Sequence, residues 1–285
     1  MNNKTLRGTL SALSLCLLVS APALAQEWNH DPDSDIGPTL WGSLTFPFAT
    51  CGSQFDPVLQ SLEPAFVEVG KKQSPVDIVV ADAIPTALPA LVFQYLDTPF
   101  IVENTGHVVE VPYEPGSTLR VGQDTYELLQ FHFHAPSEHA IDGVLADGEM
   151  HLVHRNARLD LAVVGVMLQV GEPVNAVVDT ILLNAPVEEG EVDLGGLLNA
   201  QDVLPQQRSY YTYSGSLTTP PCSEGVRWFV LKDPVFVSQA AIDHLHEVIA
   251  EFPTYQPPFT VEPFPDNNRP VRPLNGRAIL NRVAQ

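Results

Sequence analysis

Alternation of apolar and polar residues over four segments is the feature that most constrains how this chain folds. The segments are YELLQFHFH (126–134), GEMHLVHRN (148–156), LAVVGVMLQVG (161–171) and VRWFVLKD (226–233). A period of two is typical of β-strands, whose successive side chains point to opposite faces of a sheet. The sequence therefore predicts a mainly β (α+β) fold in which strands far outnumber helices.

Two segments carry helical signals instead. Ser238 is a candidate N-cap, and it precedes apolar residues spaced as one helical face: Ile242, Leu245, Ile249 and Phe252. The second candidate runs over 175–183. We find no internal repeat and no linker after the N-terminal leader, so one large domain over 26–285 is expected.

The N-terminal 25 residues have the pattern of a cleaved signal peptide. Lys4 and Arg7 precede an apolar run over 10–19 and a small-residue ending at Ala25. A transmembrane anchor is the competing interpretation, but the run is too short to span ~30 Å of hydrocarbon. Residues 1–25 are therefore predicted to direct export, which implies a periplasmic or secreted protein without stable membrane insertion.

Charge argues against a nucleic-acid partner. The chain has 34 acidic and 14 basic residues, a formal net charge of −20. Such a surface repels nucleic-acid phosphates and anionic membranes.

Two cysteines remain once the leader is removed, Cys51 and Cys222. In an exported protein a pair of this kind predicts one disulfide, and two buried thiols are the alternative. A bridge between them would close a loop of about 170 residues, worth roughly 4–5 kcal/mol in the chain-entropy model.

Three histidines are placed to share one face of two neighbouring strands. On a strand over 126–134, His132 and His134 point one way together with Tyr126 and Leu128, about 6.5–7 Å apart along that face. Phe131 and Phe133 point towards the core. An antiparallel neighbour over 148–154 would add His151 to the same site. Three neutral imidazoles leave zinc one open position, which is the catalytic arrangement.

The residues around these histidines suggest supporting roles. Gln130 and Glu149 each lie two residues from a candidate ligand, where an oxygen could accept an imidazole N–H and fix the tautomer. His154 faces away and is expected to be structural. His139, beyond Pro136, is either a fourth ligand or a buried histidine with its hydrogen bonds satisfied.

Five motifs together resemble the α-class carbonic anhydrases of the secreted bacterial type. They are LQFHFHAPSEH with EMHLVH, YTYSGSLTTPPCSEGVRW, QSPVDI (73–78), NTGHVVEV (104–111) and DNNRPVRPLN (266–275), in the family's order over nearly all of the mature chain. The resemblance implies a large, mostly antiparallel twisted central sheet with short peripheral helices and long loops. It also places Cys51 and Cys222 where such relatives have their single disulfide.

The resemblance implies reversible hydration of carbon dioxide to bicarbonate and a proton. His132, His134 and His151 would hold Zn²⁺, which supplies hydroxide near neutral pH. Thr218 would accept the hydroxide proton and donate its own to Glu138. A histidine suits proton export because its ordinary pKa is about 6.5, and the residue at the family's shuttle position is His107.

The substrate side should be apolar because carbon dioxide has no net dipole. The positions that match the family's pocket are Val153, Val163, Leu217, Val226 and Trp228. Thr219 would contact the bicarbonate product, and a weak esterase activity is expected in the same cleft.

Several positions depart from the family's pattern. His30 stands where many relatives have a tyrosine, and Thr105 and Glu110 replace asparagines beside the shuttle. One hypothesis is that Glu110 raises the pKa of His107. The connection over 52–72 is longer than in relatives.

A non-catalytic, zinc-bearing binding module of the same fold is the alternative function, since some members of this fold family have lost ligands. Here all three histidines remain, together with Glu138, Thr218 and His107, which favours the enzyme. The sequence leaves a homodimer open.

Overall fold

The computed structural model describes residues 28–34, 36–43, 48–52, 70–252 and 266–283 of the 285-residue chain. The predicted signal peptide over 1–25 and most of the 52–72 connection lie outside these residues.

Strands account for most of the regular structure in the described residues. They are β1 (Asp77–Ile78), β2 (Ile84–Ala87), β3 (Leu91–Gln94), β4 (Thr98–Asn104), β5 (Val109–Pro112), β6 (Thr118–Val121), β7 (Asp124–His134), β8 (Ala140–Ile141), β9 (Val144–Leu145), β10 (Gly148–Arg155), β11 (Leu161–Val170), β12 (Gly190–Leu198), β13 (Tyr210–Ser216), β14 (Glu224–Leu231), β15 (Val235–Val237) and β16 (Leu280–Val283). Single-turn 3-10 helices lie at Trp41–Ser43, Phe48–Cys51 and Val80–Asp82.

A 13-stranded twisted sheet forms the body of the molecule. Its main path runs β12-β4-β5-β7-β10-β11-β14-β13-β16-β2, and β1, β8 and β9 form a separate small sheet. Most neighbours are antiparallel, but β11 pairs in parallel with β14 and β15, and β16 with β2. The predicted mainly β fold with a mostly antiparallel central sheet is confirmed.

Both predicted helices are present. Helix α1 (Ala176–Leu183) follows Asn175, whose side chain accepts hydrogen bonds from the first-turn N–H groups. Helix α2 (Gln239–Ala250) follows Ser238, which accepts from the backbone N–H of Ala241 at 3.2 Å. In the described part of the chain, neither helix is long and apolar enough to cross a membrane.

A bulge interrupts the alternation along β7 at Leu129. The register with β10 shifts there, so that Leu128 pairs with His154. Tyr126 and Leu128 are consequently buried in the main core together with Phe131. The prediction that Tyr126 and Leu128 share a face with the two histidines is wrong, because the extra residue of a bulge reverses the alternation.

Candidate active site

Strands β7 and β10 bring the three predicted histidines together. His151 pairs directly with His132 across the two strands. The ring centroids lie 5.0 Å apart for His132 and His134, 5.3 Å for His132 and His151, and 4.7 Å for His134 and His151. Each ring offers a nitrogen within 4.8 Å of the others, so the three form a group that could hold a metal ion.

Hydrogen bonds fix which ring nitrogen of His132 and of His134 remains free to bind a metal ion. The Nδ1 of His132 lies 2.8 Å from Gln130 Oε1, as the spacing predicts, and that of His134 lies 2.9 Å from the carbonyl oxygen of Asn267. Both acceptors take an N–H, so the Nε2 atoms are free to bind. His134 Nε2 is buried and has no hydrogen-bond partner among the described residues.

Glu149 orients the third histidine through the opposite nitrogen. Its Oε1 lies 2.9 Å from His151 Nε2, which leaves His151 Nδ1 facing the site. Its Oε2 accepts the backbone N–H groups of Glu138 at 2.9 Å and His139 at 2.7 Å. Burial alone would raise the pKa of Glu149, but the charges of His139 and His151 and their hydrogen bonds outweigh it and hold that pKa well below its usual value.

His139 is a buried structural histidine and not a fourth ligand of the triad. Its Nδ1 lies 2.8 Å from Glu149 Oε1 and its Nε2 lies 2.7 Å from the hydroxyl of Tyr213. His139, Glu149 and His151 are also close enough to hold an ion, but these contacts already satisfy both ring nitrogens of His139. His154 points into the core as predicted, where its Nε2 meets the hydroxyl of Tyr95 at 2.7 Å.

The electrostatics of the triad suit a bound cation. Burial, followed by repulsion from the neighbouring rings, lowers the pKa of His132 well below its ordinary value, and burial lowers that of His134. Both are therefore neutral near pH 7, which is the form that binds metal. For His151, burial is outweighed by Glu149 and Glu138, which raise its pKa. The same negative field that favours a proton at His151 Nδ1 favours a metal cation there.

Glu138 and Thr218 are both buried, and Glu138 lies beside the triad. Glu138 Oε1 accepts the backbone N–H of Arg269 at 2.9 Å. Its Oε2 lies 3.6 Å from His134 Nε2 and 3.7 Å from His151 Nδ1, and it has no hydrogen-bond partner in the described part of the chain. The expected hydrogen bond from Thr218 therefore stays a prediction, with Oε2 as the oxygen available for it.

Arg269 links Glu138 to the disulfide, a connection that the sequence did not reveal. Its guanidinium donates to Gln73 Oε1 and to the carbonyl oxygen of Cys51, each at 2.9 Å. Burial lowers the pKa of Arg269 to about 9. Cys51 and Cys222 are bonded, with Cα atoms 5.1 Å apart, so the predicted disulfide is present and the alternative of two thiols is excluded.

The apolar positions lie on the same side of the sheet as the triad. Val163 pairs with Val153 on one side and with Trp228 on the other. The ring of Trp228 meets that of His151 edge to face at 4.8 Å. Val226 is buried in the same apolar cluster, Leu217 packs at its border, and Thr219 is half-buried.

His107 lies in the turn between β4 and β5 and stacks on Trp28. The two ring centroids are 4.1 Å apart and the planes are inclined by 9°. Burial lowers the pKa of His107, and the carboxylate that opposes this effect is Glu189. The hypothesis that Glu110 raises this pKa is therefore not supported.

A row of carboxylates crosses the sheet towards the triad. Glu191 pairs with Glu103, Glu103 pairs with Glu110, and Glu110 pairs with His132. Directly paired residues share a face, so the four side chains line one side of the sheet. Burial, followed by the charge of Glu103, raises the pKa of Glu110 to about 7. Sequence reasoning missed this row because its members come from different strands.

Comparison with known proteins agrees with this geometry. A family model described as eukaryotic-type carbonic anhydrase matches residues 64–283. A carbonic anhydrase of Nostoc sp. is 36% identical over an alignment 286 positions long, which covers 98% of this chain and 96% of the relative. The sheet with its histidine triad thus defines an enzyme class, and the chain belongs to the family of eukaryotic-type (α-class) carbonic anhydrases.

Solved structures extend the comparison. An α-carbonic anhydrase from Thermovibrio ammonificans, in complex with the inhibitor sulfanilamide, superposes with a TM-score of 0.75 at 35% identity, covering 90% of this chain and 99% of that one. Dioscorin, solved with ascorbate, shares the fold at a TM-score of 0.73 and 25% identity, covering 91% of this chain and 99% of that one.

Proposed function

We propose that this chain catalyses the reversible hydration of carbon dioxide to bicarbonate and a proton, with one zinc ion held by His132, His134 and His151. The observation that carries the proposal is the triad itself, in which His134 and His151 are buried and His132 is half-buried. Its three rings face one point, and the Nε2 of His134 has no other partner among the described residues.

The donor set fits zinc. Three neutral imidazoles are the ligands of catalytic zinc sites that keep one position open, although other divalent ions also accept imidazole. When bound, zinc lowers the pKa of a water molecule from 15.7 to about 7 and so supplies hydroxide near neutral pH.

The residues behind the triad keep each ring in its binding tautomer. Gln130 and the carbonyl of Asn267 accept N–H groups from His132 and His134, and Glu149 Oε1 lies 2.9 Å from His151 Nε2. Partners of this kind typically change metal affinity 10–100-fold when they are mutated.

Thr218 and Glu138 would orient the nucleophile. An ionised carboxylate only accepts hydrogen bonds, so Glu138 Oε2 requires a donor, and the Thr218 hydroxyl would supply it. The oxygen of Thr218 is then free to accept a hydrogen bond from the nucleophile, which directs a lone pair of the nucleophile at the substrate.

The apolar side would hold the substrate. Carbon dioxide carries no net dipole, so the predicted pocket of Val153, Val163, Leu217, Val226 and Trp228 needs no hydrogen-bond donor. Thr219, next to Thr218, would contact the bicarbonate product.

His107 would export the proton. It is half-buried, and because burial lowers its pKa, it is neutral and able to accept a proton near pH 7. Its stacking on Trp28 holds the ring in one place instead of leaving it free in solvent.

The proposal is tested by stopped-flow hydration of carbon dioxide with zinc content measured on the same sample. We expect about one zinc per chain and rapid hydration, both lost in His134→Ala. His246→Ala, which changes a partly exposed histidine of α2, is the matched control and should keep both.

Two outcomes would contradict the proposal. If the wild-type protein holds no zinc after dialysis against the metal, the proposed metal site is wrong. Zinc without hydration would favour the non-catalytic, zinc-bearing binding module of the same fold. Slow hydrolysis of an activated ester in the same cleft is expected as a side activity.

We also propose that residues 1–25 direct export to the periplasm or beyond and that 26–285 form a single domain. The disulfide between Cys51 and Cys222 supports an oxidising compartment. N-terminal sequencing of the protein from the periplasmic or culture fraction tests the cleavage site. Light scattering of the purified protein tests the homodimer.

A further inference from the structure

A groove lies on the face of the central sheet opposite to the histidine triad. Along β13, Thr212 and Ser214 alternate with Tyr213 and therefore point to the other face. Tyr213 pairs with Trp228, whose ring contacts the triad. The groove has a volume of about 450 Å³, which is within the range of small-molecule sites. It is therefore separate from the proposed active site.

The groove combines apolar and polar side chains. Its apolar residues are Leu88, Ala278 and Leu280, and its polar side chains include those of Thr212, Ser214 and Arg227. None of the described residues that line it is acidic, although the chain has 34 acidic and only 14 basic residues. The groove thus offers an anion a place on a surface that otherwise repels it.

Two hydroxyl groups in the groove lack a protein partner. Thr212 is only 6% exposed, yet its hydroxyl makes no hydrogen bond within the described part of the chain. The hydroxyl of the exposed Ser214 makes none there either. Buried hydroxyls are usually hydrogen-bonded, so Thr212 indicates a polar group that occupies the groove.

Arg227 supplies a positive charge with unused donors. Its Cζ lies 4.9 Å from the centre of the Phe229 ring, which holds the guanidinium against the sheet. Its Nη1 lies 3.5 Å from Asp124, a carboxylate that also lies 3.8 Å from Arg158. The Nε and Nη2 atoms of Arg227 have no hydrogen-bond partner among the residues described. A guanidinium offers such donors as a planar fork that matches a carboxylate.

A second arginine adds positive charge on the same face. Tyr210 lies two residues before Thr212 on β13, so the two side chains share a face. Burial raises the pKa of Tyr210, and the charges of Arg227 and then Arg282 oppose this effect. Both charges that act on this hydroxyl are positive. The neighbourhood of the groove therefore favours an anion.

We propose that this groove binds a small organic carboxylate with an alkyl chain. The carboxylate accepts hydrogen bonds from Arg227 and from the hydroxyls of Thr212 and Ser214. The alkyl chain covers the apolar part of the lining. A second copy of the chain suits the groove less well, because two chains that each carry a net charge of −20 repel one another. The inference does not depend on the proposed function.

The experiment titrates sodium octanoate into the ¹⁵N-labelled protein and follows the backbone amides by NMR. We expect the amides of Thr212, Ser214 and Leu280 to shift, with a dissociation constant of about 1 mM for a ligand of this size. Octanamide has the same shape without the charge. It should bind about tenfold more weakly or less, because its hydrogen bonds with Arg227 are not assisted by a negative charge.

Three variants locate the site. Arg227→Gln should weaken octanoate binding about tenfold or more. Arg155→Gln removes the same charge from an exposed arginine of β10 and should bind as the wild type does. Ser214→Trp fills the groove from an exposed position and should abolish the shifts. If Arg227→Gln does not fold, Ser214→Trp and the comparison of octanoate with octanamide still test the proposal.

Four results would overturn the inference. They are shifts confined to the histidine triad, equal binding of octanoate and octanamide, equal binding by Arg227→Gln and Arg155→Gln, and no shift at the groove at about 10 mM octanoate, which is roughly tenfold above the expected dissociation constant. Groove amides that shift with protein concentration in the absence of octanoate would assign the groove to a second copy of the chain and would also contradict it.

Discussion

Replacing Glu149 by glutamine tests how a single buried carboxylate supports both the fold and the proposed metal site. Its Oε2 accepts two backbone N–H groups at 2.9 and 2.7 Å, and its Oε1 meets His139 Nδ1 and His151 Nε2 at 2.8 and 2.9 Å. An amide of the same shape has only one acceptor oxygen. Whichever way it turns, two of the four N–H groups face its NH₂ group.

The expected loss follows from these contacts. A hydrogen bond to a charged group contributes about 1.5–3 kcal/mol, so the loss of two such contacts in Glu149→Gln lowers the free energy of unfolding by about 3–6 kcal/mol. If the amide turns its NH₂ towards His151, that ring also loses its acceptor, and zinc affinity falls about 10–100-fold. Urea denaturation of the metal-free protein and competition with a chelator measure the two effects separately.

The same reasoning predicts how the free energy of unfolding changes with pH. The pKa of Glu149 is depressed in the folded protein, so its stabilising contribution is fully present above the unfolded pKa of about 4.5 and is lost as the pH falls through the folded value. The wild type and Glu149→Gln should therefore converge in stability on acidification.

The control is Glu103→Gln, which changes a half-buried glutamate of β4 outside this network. If Glu149→Gln and Glu103→Gln unfold within about 1 kcal/mol of each other at pH 7, the reasoning from the hydrogen-bond network is wrong.

Three further changes probe neighbouring features. A Cβ atom at Gly165 would lie 2.7 Å from Glu149 Oε1, so Gly165→Ala should displace that carboxylate and weaken zinc binding in a chelator competition; unchanged affinity would contradict this. Trp28→Ala uncovers His107, whose pKa should rise towards 6.5 in an NMR titration, and a constant value would refute burial as the cause. Cys51→Ser removes a cross-link over 171 residues and should cost about 5 kcal/mol in urea unfolding. Hydrogen exchange should then show the active-site loops opening before the sheet, and simultaneous opening would argue against this order.

The features that could be predicted from the sequence are those that depend on the spacing of nearby residues. Ser238 and the apolar residues after it predict α2 because capping and helical period act within a few residues. The separation of His132 and His134 by one phenylalanine places both on one face for the same reason. The resemblance to a family added the expected roles of Glu138, Thr218 and His107.

The rest depends on residues that meet only after folding. The acceptor for His134 is the carbonyl of Asn267, which no spacing around β7 indicates. The bulge at Leu129 was missed because a period of two assumes an uninterrupted strand, and tertiary pairing with β10 decides where the extra residue is accommodated. The stacking of Trp28 on His107 likewise joins two distant segments.

The carboxylate row of Glu191, Glu103 and Glu110 acts differently on the two sides of the reaction. Carbon dioxide is uncharged, so the negative charges of the row neither attract nor repel it. Bicarbonate is an anion, and the row repels it. A catalyst cannot change the equilibrium between carbon dioxide and bicarbonate. If the enzyme binds bicarbonate more weakly, dehydration is therefore also slower when bicarbonate is scarce. The chain should thus keep hydrating carbon dioxide in bicarbonate-rich, alkaline water, where Glu110, with a pKa of about 7, carries its charge and product inhibition is weakest.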